Sequence, residues 1–145
     1  MINIIYWSGT GTTEKMAYSV LSGIEKAGGE GRVIDVFETT EGIIENGSAF
    51  AFGCPPMGEE CLEKEEFEPF FSLIEEKLLG KAIGLFGSYG WGGGRWMDDW
   101  KKRCIDKGAI LVCEPVICCD EPDTQAFEKL EKMGRILCEN TFGDL

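Results

Sequence analysis

Histidine is absent from all 145 residues, and with it goes the usual general base of a Ser–His or Cys–His hydrolase. The seven cysteines, at positions 54, 61, 104, 113, 118, 119 and 138, contain no C-x-x-C pair. A zinc or iron–sulfur centre needs clustered ligands, so no metal is expected. An odd number of cysteines in a chain of this length also argues against a secreted disulfide framework; most of them lie in apolar runs and read as small core residues. No apolar span is long enough for a membrane helix and the first residues lack a basic start. Neither a membrane segment nor a signal peptide is therefore expected, and the expected compartment is the cytoplasm. Repeats, linkers and low-complexity tracts are missing too, which predicts one domain over residues 1–145. Basic residues are scarce: 14 Lys and Arg stand against 26 Asp and Glu, a net charge of -12. Such a surface repels nucleic acid and anionic membranes and favours basic protein partners.

What is present begins with an apolar run, Ile2-Asn3-Ile4-Ile5-Tyr6-Trp7, followed by Ser8-Gly9-Thr10-Gly11-Thr12-Thr13 and a helical pattern from Glu14 to Ala27. Strand, tight loop and helix start make a phosphate socket, because the first turn of a helix carries unpaired N–H groups and the positive end of the dipole. Glycines let the backbone close round an anion, and the hydroxyls at 8, 10, 12 and 13 can donate to it. No Lys or Arg lies in the loop, so a nucleoside triphosphate pattern is not met and the expected guest is one phosphate monoester. A dinucleotide fingerprint is half present. Gly9 and Gly11 fit, Glu14 stands where a third glycine belongs, and Asp35 falls where a ribose-binding acid would be.

Further along, strands are expected over 32–37, 48–54, 81–86 and 109–119, alternating with helices over 66–79, 96–106 and 124–140. Strands alternating with helices give an α/β sandwich around a parallel sheet, in which ligands bind beyond the carboxyl ends of the strands. The loops 8–13, 55–60, 87–94 and 119–123 all follow strands and therefore share one edge. Trp91 sits among five glycines and reads as an exposed platform. Trp7, Trp96 and Trp100 fall on strand or helix faces and read as packing, and Glu59, Glu60, Glu63, Glu65 and Glu66 read as a solvated face.

Four segments carry a resemblance: Tyr6-Trp7-Ser8-Gly9-Thr10-Gly11-x-Thr13-Glu14, Gly53-Cys54-Pro55-x-Met57-Gly58, Glu66-Phe67-Glu68-Pro69-Phe70 and Gly84-x-Phe86-Gly87-Ser88-Tyr89-Gly90-Trp91-Gly92. In this order and spacing the chain resembles the short-chain flavodoxins of anaerobic bacteria. The resemblance implies a three-layer sandwich whose five-stranded parallel sheet runs in the order 2-1-3-4-5, the topology for which flavodoxin is itself the type example. It also implies a noncovalently bound FMN that carries single electrons between redox proteins. By the same resemblance, Ser8, Gly9, Thr10, Gly11, Thr12 and Thr13 hold the 5′-phosphate. Trp91 and Met57 cover the two flavin faces, and Pro55, Pro56, Gly58, Ser88, Tyr89, Gly90 and Gly92 wall the ring and ribityl chain. Within Met57-Gly58-Glu59-Glu60, the Gly58 carbonyl is expected to turn toward flavin N5 when that atom carries a proton, and Glu60 to accept from N3–H. With carboxylates and no cation at the site, electrons are expected to enter at low potential. Redox proteins with basic docking surfaces are the expected partners, and the carrier is expected to be a monomer.

Another reading is a small FMN-dependent NAD(P)H quinone or nitro reductase. That activity needs an open substrate pocket, for which a chain spent almost wholly on the fold leaves little. A signalling receiver is excluded because Tyr6-Trp7-Ser8 stands where an acidic magnesium pocket belongs, and a low-molecular-weight phosphatase because the first loop has no cysteine.

Overall fold

The computed structural model describes residues 1–142. Its elements are β1 (Ile2–Tyr6), α1 (Thr12–Lys26), β2 (Gly31–Asp35), α2 (Glu41–Asn46), β3 (Ala49–Gly53), α3 (Phe67–Ile74), β4 (Ala82–Tyr89), α4 (Arg95–Asp106), β5 (Ile110–Leu111), β6 (Val116–Cys119) and α5 (Thr124–Phe142). The strands form one parallel sheet in the order β2-β1-β3-β4-β5, and β6 continues the fifth position along β4.

Alternation along each strand feeds a separate core on each face of the sheet. Ile5, Phe50, Phe52, Ile83 and Leu85 point one way, into a core completed by Ile44 of α2, Phe67 and Phe71 of α3 and Trp96 and Trp100 of α4. Ile4, Ala49, Ala51 and Phe86 point the other way, against Met16 and Val20 of α1 and Met133 and Leu137 of α5. On the first face, edge-on ring contacts join Trp100 to Phe67 and Phe71 at centroid distances of 5.5 and 5.7 Å. Trp96 and Trp100 are thus packing residues, as the helical spacing predicts. On the second face, α1 and α5 cross at Gly23 and Gly134. A Cβ added at Gly23 would lie 2.7 Å from the carbonyl carbon of Glu131, and one at Gly134 would lie 2.9 Å from the amide nitrogen of Ile24.

Several expected boundaries move. The fifth strand, read as one run over 109–119, is two strands, with the interruption at 112–115. Pro115 has no N–H to give a ladder. β4 extends three residues past the expected 86, because Gly87, Ser88 and Tyr89 pair with Ile117, Cys118 and Cys119. The helix expected over 66–79 ends at Ile74 and tightens into a 3₁₀ turn over Glu75–Leu78. The second strand stops at Asp35, whose Oδ1 accepts from the Phe37 N–H at 3.0 Å and opens another 3₁₀ turn. That cap occupies the acid which a dinucleotide site would assign to ribose.

Glu63 is not on a solvated face. It is 5% exposed, and its two carboxylate oxygens accept from the N–H groups of Glu65, Glu66 and Phe67 at 2.7, 3.0 and 2.9 Å. A charge-assisted cap of this kind satisfies the amides that lead into α3, together with its first, and complements the helix dipole. Glu63→Gln replaces one acceptor by an NH₂ group and strands at least one of those amides. A loss of about 2 kcal/mol in denaturant unfolding is expected, and an unchanged midpoint would contradict the cap.

Among the described residues, no helix is long and apolar enough to cross a membrane.

Candidate functional site

The loops after β1, β3, β4 and β6 meet at the carboxyl edge of the sheet, as strand polarity requires. In the first of them the helix begins at Thr12, two residues ahead of the expected start, with Gly11 at the cap in a left-handed conformation (φ 94) and no side-chain cap bond. The amides of Thr12 and Thr13 therefore belong to the open first turn and face the loop. Ser8 Oγ accepts from the Gly11 N–H at 2.9 Å and holds the loop closed. Thr10 Oγ1 and Thr12 Oγ1 lie 3.3 Å apart, so two hydroxyls and a run of amides converge without a basic side chain in the loop.

After β3, Met57 and Cys61 exchange reciprocal backbone hydrogen bonds, Met57 N–H to Cys61 O at 2.7 Å and Cys61 N–H to Met57 O at 3.0 Å. The turn thus closes one residue later than a four-residue reading of 57–60 implies. Gly58 takes a positive φ of 57, and Glu60 takes one of 58. A non-glycine residue in that region costs about 1–2 kcal/mol, so the surroundings must hold Glu60 in place. They do so through Arg95, whose Nη2 donates to the Glu59 carbonyl at 3.1 Å and whose Nε lies 3.7 Å from Glu60 Oε2. Gly92 packs against the same carboxylate: a Cβ there would come within 2.7 Å of Glu60 Cδ.

Between the loops lies a cleft of about 530 Å³. Gly9, Thr10, Thr12 and Thr13 line one end, Pro55, Pro56 and Met57 one side, and Ser88, Tyr89, Gly90 and Trp91 the other. Met57 and Trp91 are both exposed, at 39% and 49%, so Trp91 is exposed as its setting predicts. Ser8, Gly11, Gly58, Glu59, Glu60 and Gly92 belong to the same loops but not to this lining; Glu60 instead lines a neighbouring hollow with Cys61, Leu62 and Trp96.

Three lining residues were not expected: Trp7, Asp120 and Glu121. Trp7 packs against the first core, but it also reaches the cleft, with its indole N–H donating to Glu66 Oε2 at 2.8 Å. Its position at the end of β1, directly before the loop, is the signal that marks it. Asp120 and Glu121 fall in the fourth loop, on the edge where ligands of parallel sheets bind. Gln125 lies apart, in a neighbouring surface hollow.

Among the described residues the cleft lining carries no Lys or Arg, as expected, but two cations stand beside the 57–61 turn. Besides Arg95, the ammonium of Lys64 comes within 3.8 Å of where a Cβ on Gly58 would stand. Neither was expected: Arg95 comes from the first residue of α4, and Lys64 from three residues past the turn in the same connection.

Comparison with known proteins bears directly on this cleft. The flavodoxin family model matches residues 4–134, a span that contains all four loops. The chain belongs to the flavodoxin family. It is 44% identical over 122 residues to the flavodoxin of Clostridium beijerinckii, covering 84% of this chain and 88% of that one. It is 43% identical over 117 residues to the flavodoxin of Megasphaera elsdenii, covering 81% and 85%. The solution structure of the two-electron reduced Megasphaera elsdenii flavodoxin superposes with a TM-score of 0.87 at 38% identity, covering 96% of this chain and 99% of that one. Flavodoxins bind FMN and carry electrons between redox partners; they are not enzymes, and the reductase reading is not favoured.

The residues present fit that cofactor. Glu60 Oε1 is buried and has no hydrogen-bond partner, and an orphaned carboxylate oxygen calls for a donor. An N–H at the edge of a bound ring would supply one. Three of the cysteines serve packing: Cys54, Cys104 and Cys138 are buried, and burial raises the thiol pKa of Cys54 and takes that of Cys104 to about 12. Cys119 is exposed.

Proposed function

We propose that this flavodoxin carries single electrons at low potential between redox proteins with basic docking surfaces, as a monomer in the cytoplasm, with FMN held in the cleft of the four strand-end loops. The orphaned Glu60 Oε1, in the turn that follows Met57 and packed against Gly92 next to Trp91, is the observation that carries the reading. When bound, FMN supplies the one-electron chemistry. The protein supplies a phosphate seat of amides and hydroxyls in loop 8–13, an acceptor for a ring N–H at Glu60, and two apolar covers, Met57 and Trp91, that keep water from the ring faces. The Gly58 carbonyl supplies a second acceptor, at a residue whose missing side chain leaves the peptide free to turn. Asp120 and Glu121 on the lining place negative charge where added electrons are penalised. Lys64 and Arg95 offset part of that penalty at the turn, so the depression of potential is smaller than a site without cations would give.

The net charge of -12 supports basic partners, and seven unpaired thiols suit a reducing compartment. The test is an anaerobic redox titration of the yellow protein, with the released cofactor identified. Two separate one-electron steps are expected, the second at low potential, and Gly58→Val narrows the gap between them. Colourless protein that takes up no FMN, or a variant with unchanged potentials, would sink the proposal. Partner reduction rates should also fall as salt rises.

A further inference from the structure

The fourth loop brings an acid onto the phosphate seat itself. Ser88 Oγ donates to the Asp120 carbonyl, and the Asp120 N–H donates to Tyr89 O at 2.8 Å. Asp120 is fixed by these bonds with a positive φ of 60. Pro122 restricts Glu121 to extended backbone, and Asp123 Oδ1 accepts from the Ala126 N–H at 2.8 Å to cap α5. With its backbone held at both ends, Glu121 projects toward the start of α1. There its Oε1 accepts from Thr12 Oγ1 at 3.2 Å and its Oε2 pairs with Lys15 Nζ at 3.4 Å. Its side chain is 67% exposed, so the carboxylate can swing without moving the strap that carries it.

We propose that Glu121 is an internal competitor for the phosphate seat, setting how tightly this flavodoxin retains FMN. The inference rests on the reading that loop 8–13 takes the phosphate. A phosphate monoester carries about -1.5 to -2 charges at pH 7, and it needs the Thr12 hydroxyl that Glu121 now engages. Carboxylate and phosphate are like charges sharing one donor, so seating the phosphate pushes Glu121 outward. Lys15 tempers the repulsion by neutralising the carboxylate, which gives this cation a role although it lies outside any phosphate-loop pattern. Riboflavin has the same ring and ribityl chain but no phosphate, and does not meet this competition.

The experiment measures dissociation constants and off-rates of FMN and of riboflavin for the wild-type protein, Glu121→Gln and Lys15→Gln, at low salt and in about 1 M salt, where the Debye length is about 3 Å. Glu121→Gln is expected to bind FMN roughly fivefold more tightly at low salt, the scale of an exposed like-charge contact, through a slower off-rate. The gain shrinks in high salt, and riboflavin binding does not change. Lys15→Gln, which leaves the carboxylate uncompensated, loosens FMN and spares riboflavin. Unchanged or weaker FMN binding by Glu121→Gln, an equal gain for riboflavin, or a gain indifferent to salt overturns the proposal. Wild-type protein that binds riboflavin as tightly as FMN overturns instead the phosphate-loop reading on which it stands.

Discussion

Gly23→Ala and Gly134→Ala are each expected to lower the melting temperature by roughly 5–12 °C, a loss of about 2–3 kcal/mol in a chain of this size. In an open helix the sign would be reversed, because glycine is poorer than alanine there by about 0.5–1 kcal/mol. At the crossing of α1 and α5, however, each added methyl meets backbone of the opposite helix: atoms of Glu131 for Gly23, atoms of Val20 and Ile24 for Gly134. A rotamer change cannot relieve such a contact. The helices must move apart, and Met16, Val20, Met133 and Leu137 lose packing along the second core. Gly42→Ala in α2 is the control, since the nearest atom to its added methyl is Thr40 Oγ1 at 3.9 Å; it should be neutral or slightly stabilising. Were Gly23→Ala to raise the melting temperature as well, the close crossing would be wrong.

The second large effect falls on the cofactor. Gly92→Ala should weaken FMN binding by about ten- to a hundredfold, the value of one hydrogen bond to a charged acceptor, while costing the fold only about 1–2 kcal/mol of backbone strain. The methyl group enters the space of the Glu60 carboxylate and shifts the orphaned oxygen from the place where the proposed ring N–H would meet it. Gly28→Ala separates strain from displacement: its φ of 87 resembles the 79 of Gly92, and nothing lies within 4 Å of its added methyl. Titration of the apoprotein with FMN should find the Gly28 variant at wild-type affinity. A Gly92 variant with wild-type affinity would remove Glu60 from the site.

Much of this was legible in the sequence, for local reasons. A strand, a glycine-rich hydroxylated loop and a helix start are contiguous, so loop 8–13 needs no knowledge of the rest of the chain. The same holds for the glycine setting of Trp91 and for the period that buries Trp96 and Trp100. What stayed hidden depends on meetings between distant segments. Glu63 is the local exception: it looks like its solvated neighbours until the chain turns tightly after it and brings the amides of Glu65, Glu66 and Phe67 round its carboxylate. Arg95 approaches the 57–61 turn from the start of α4, a meeting of segments more than thirty residues apart. The fifth strand reads as continuous because its residues are apolar, and only pairing against β4 reveals where the ladder stops.

That interruption bears on how copies of the protein meet. The outer margin of a sheet is an open template for a further strand, from the same molecule type or another. Here the template is cut into a stretch of two residues and a stretch of four, with charged Glu114 and the donorless Pro115 between them. An incoming strand would lose register before enough bonds formed to hold it, so crowding at high concentration should not draw these molecules into ribbons through that margin.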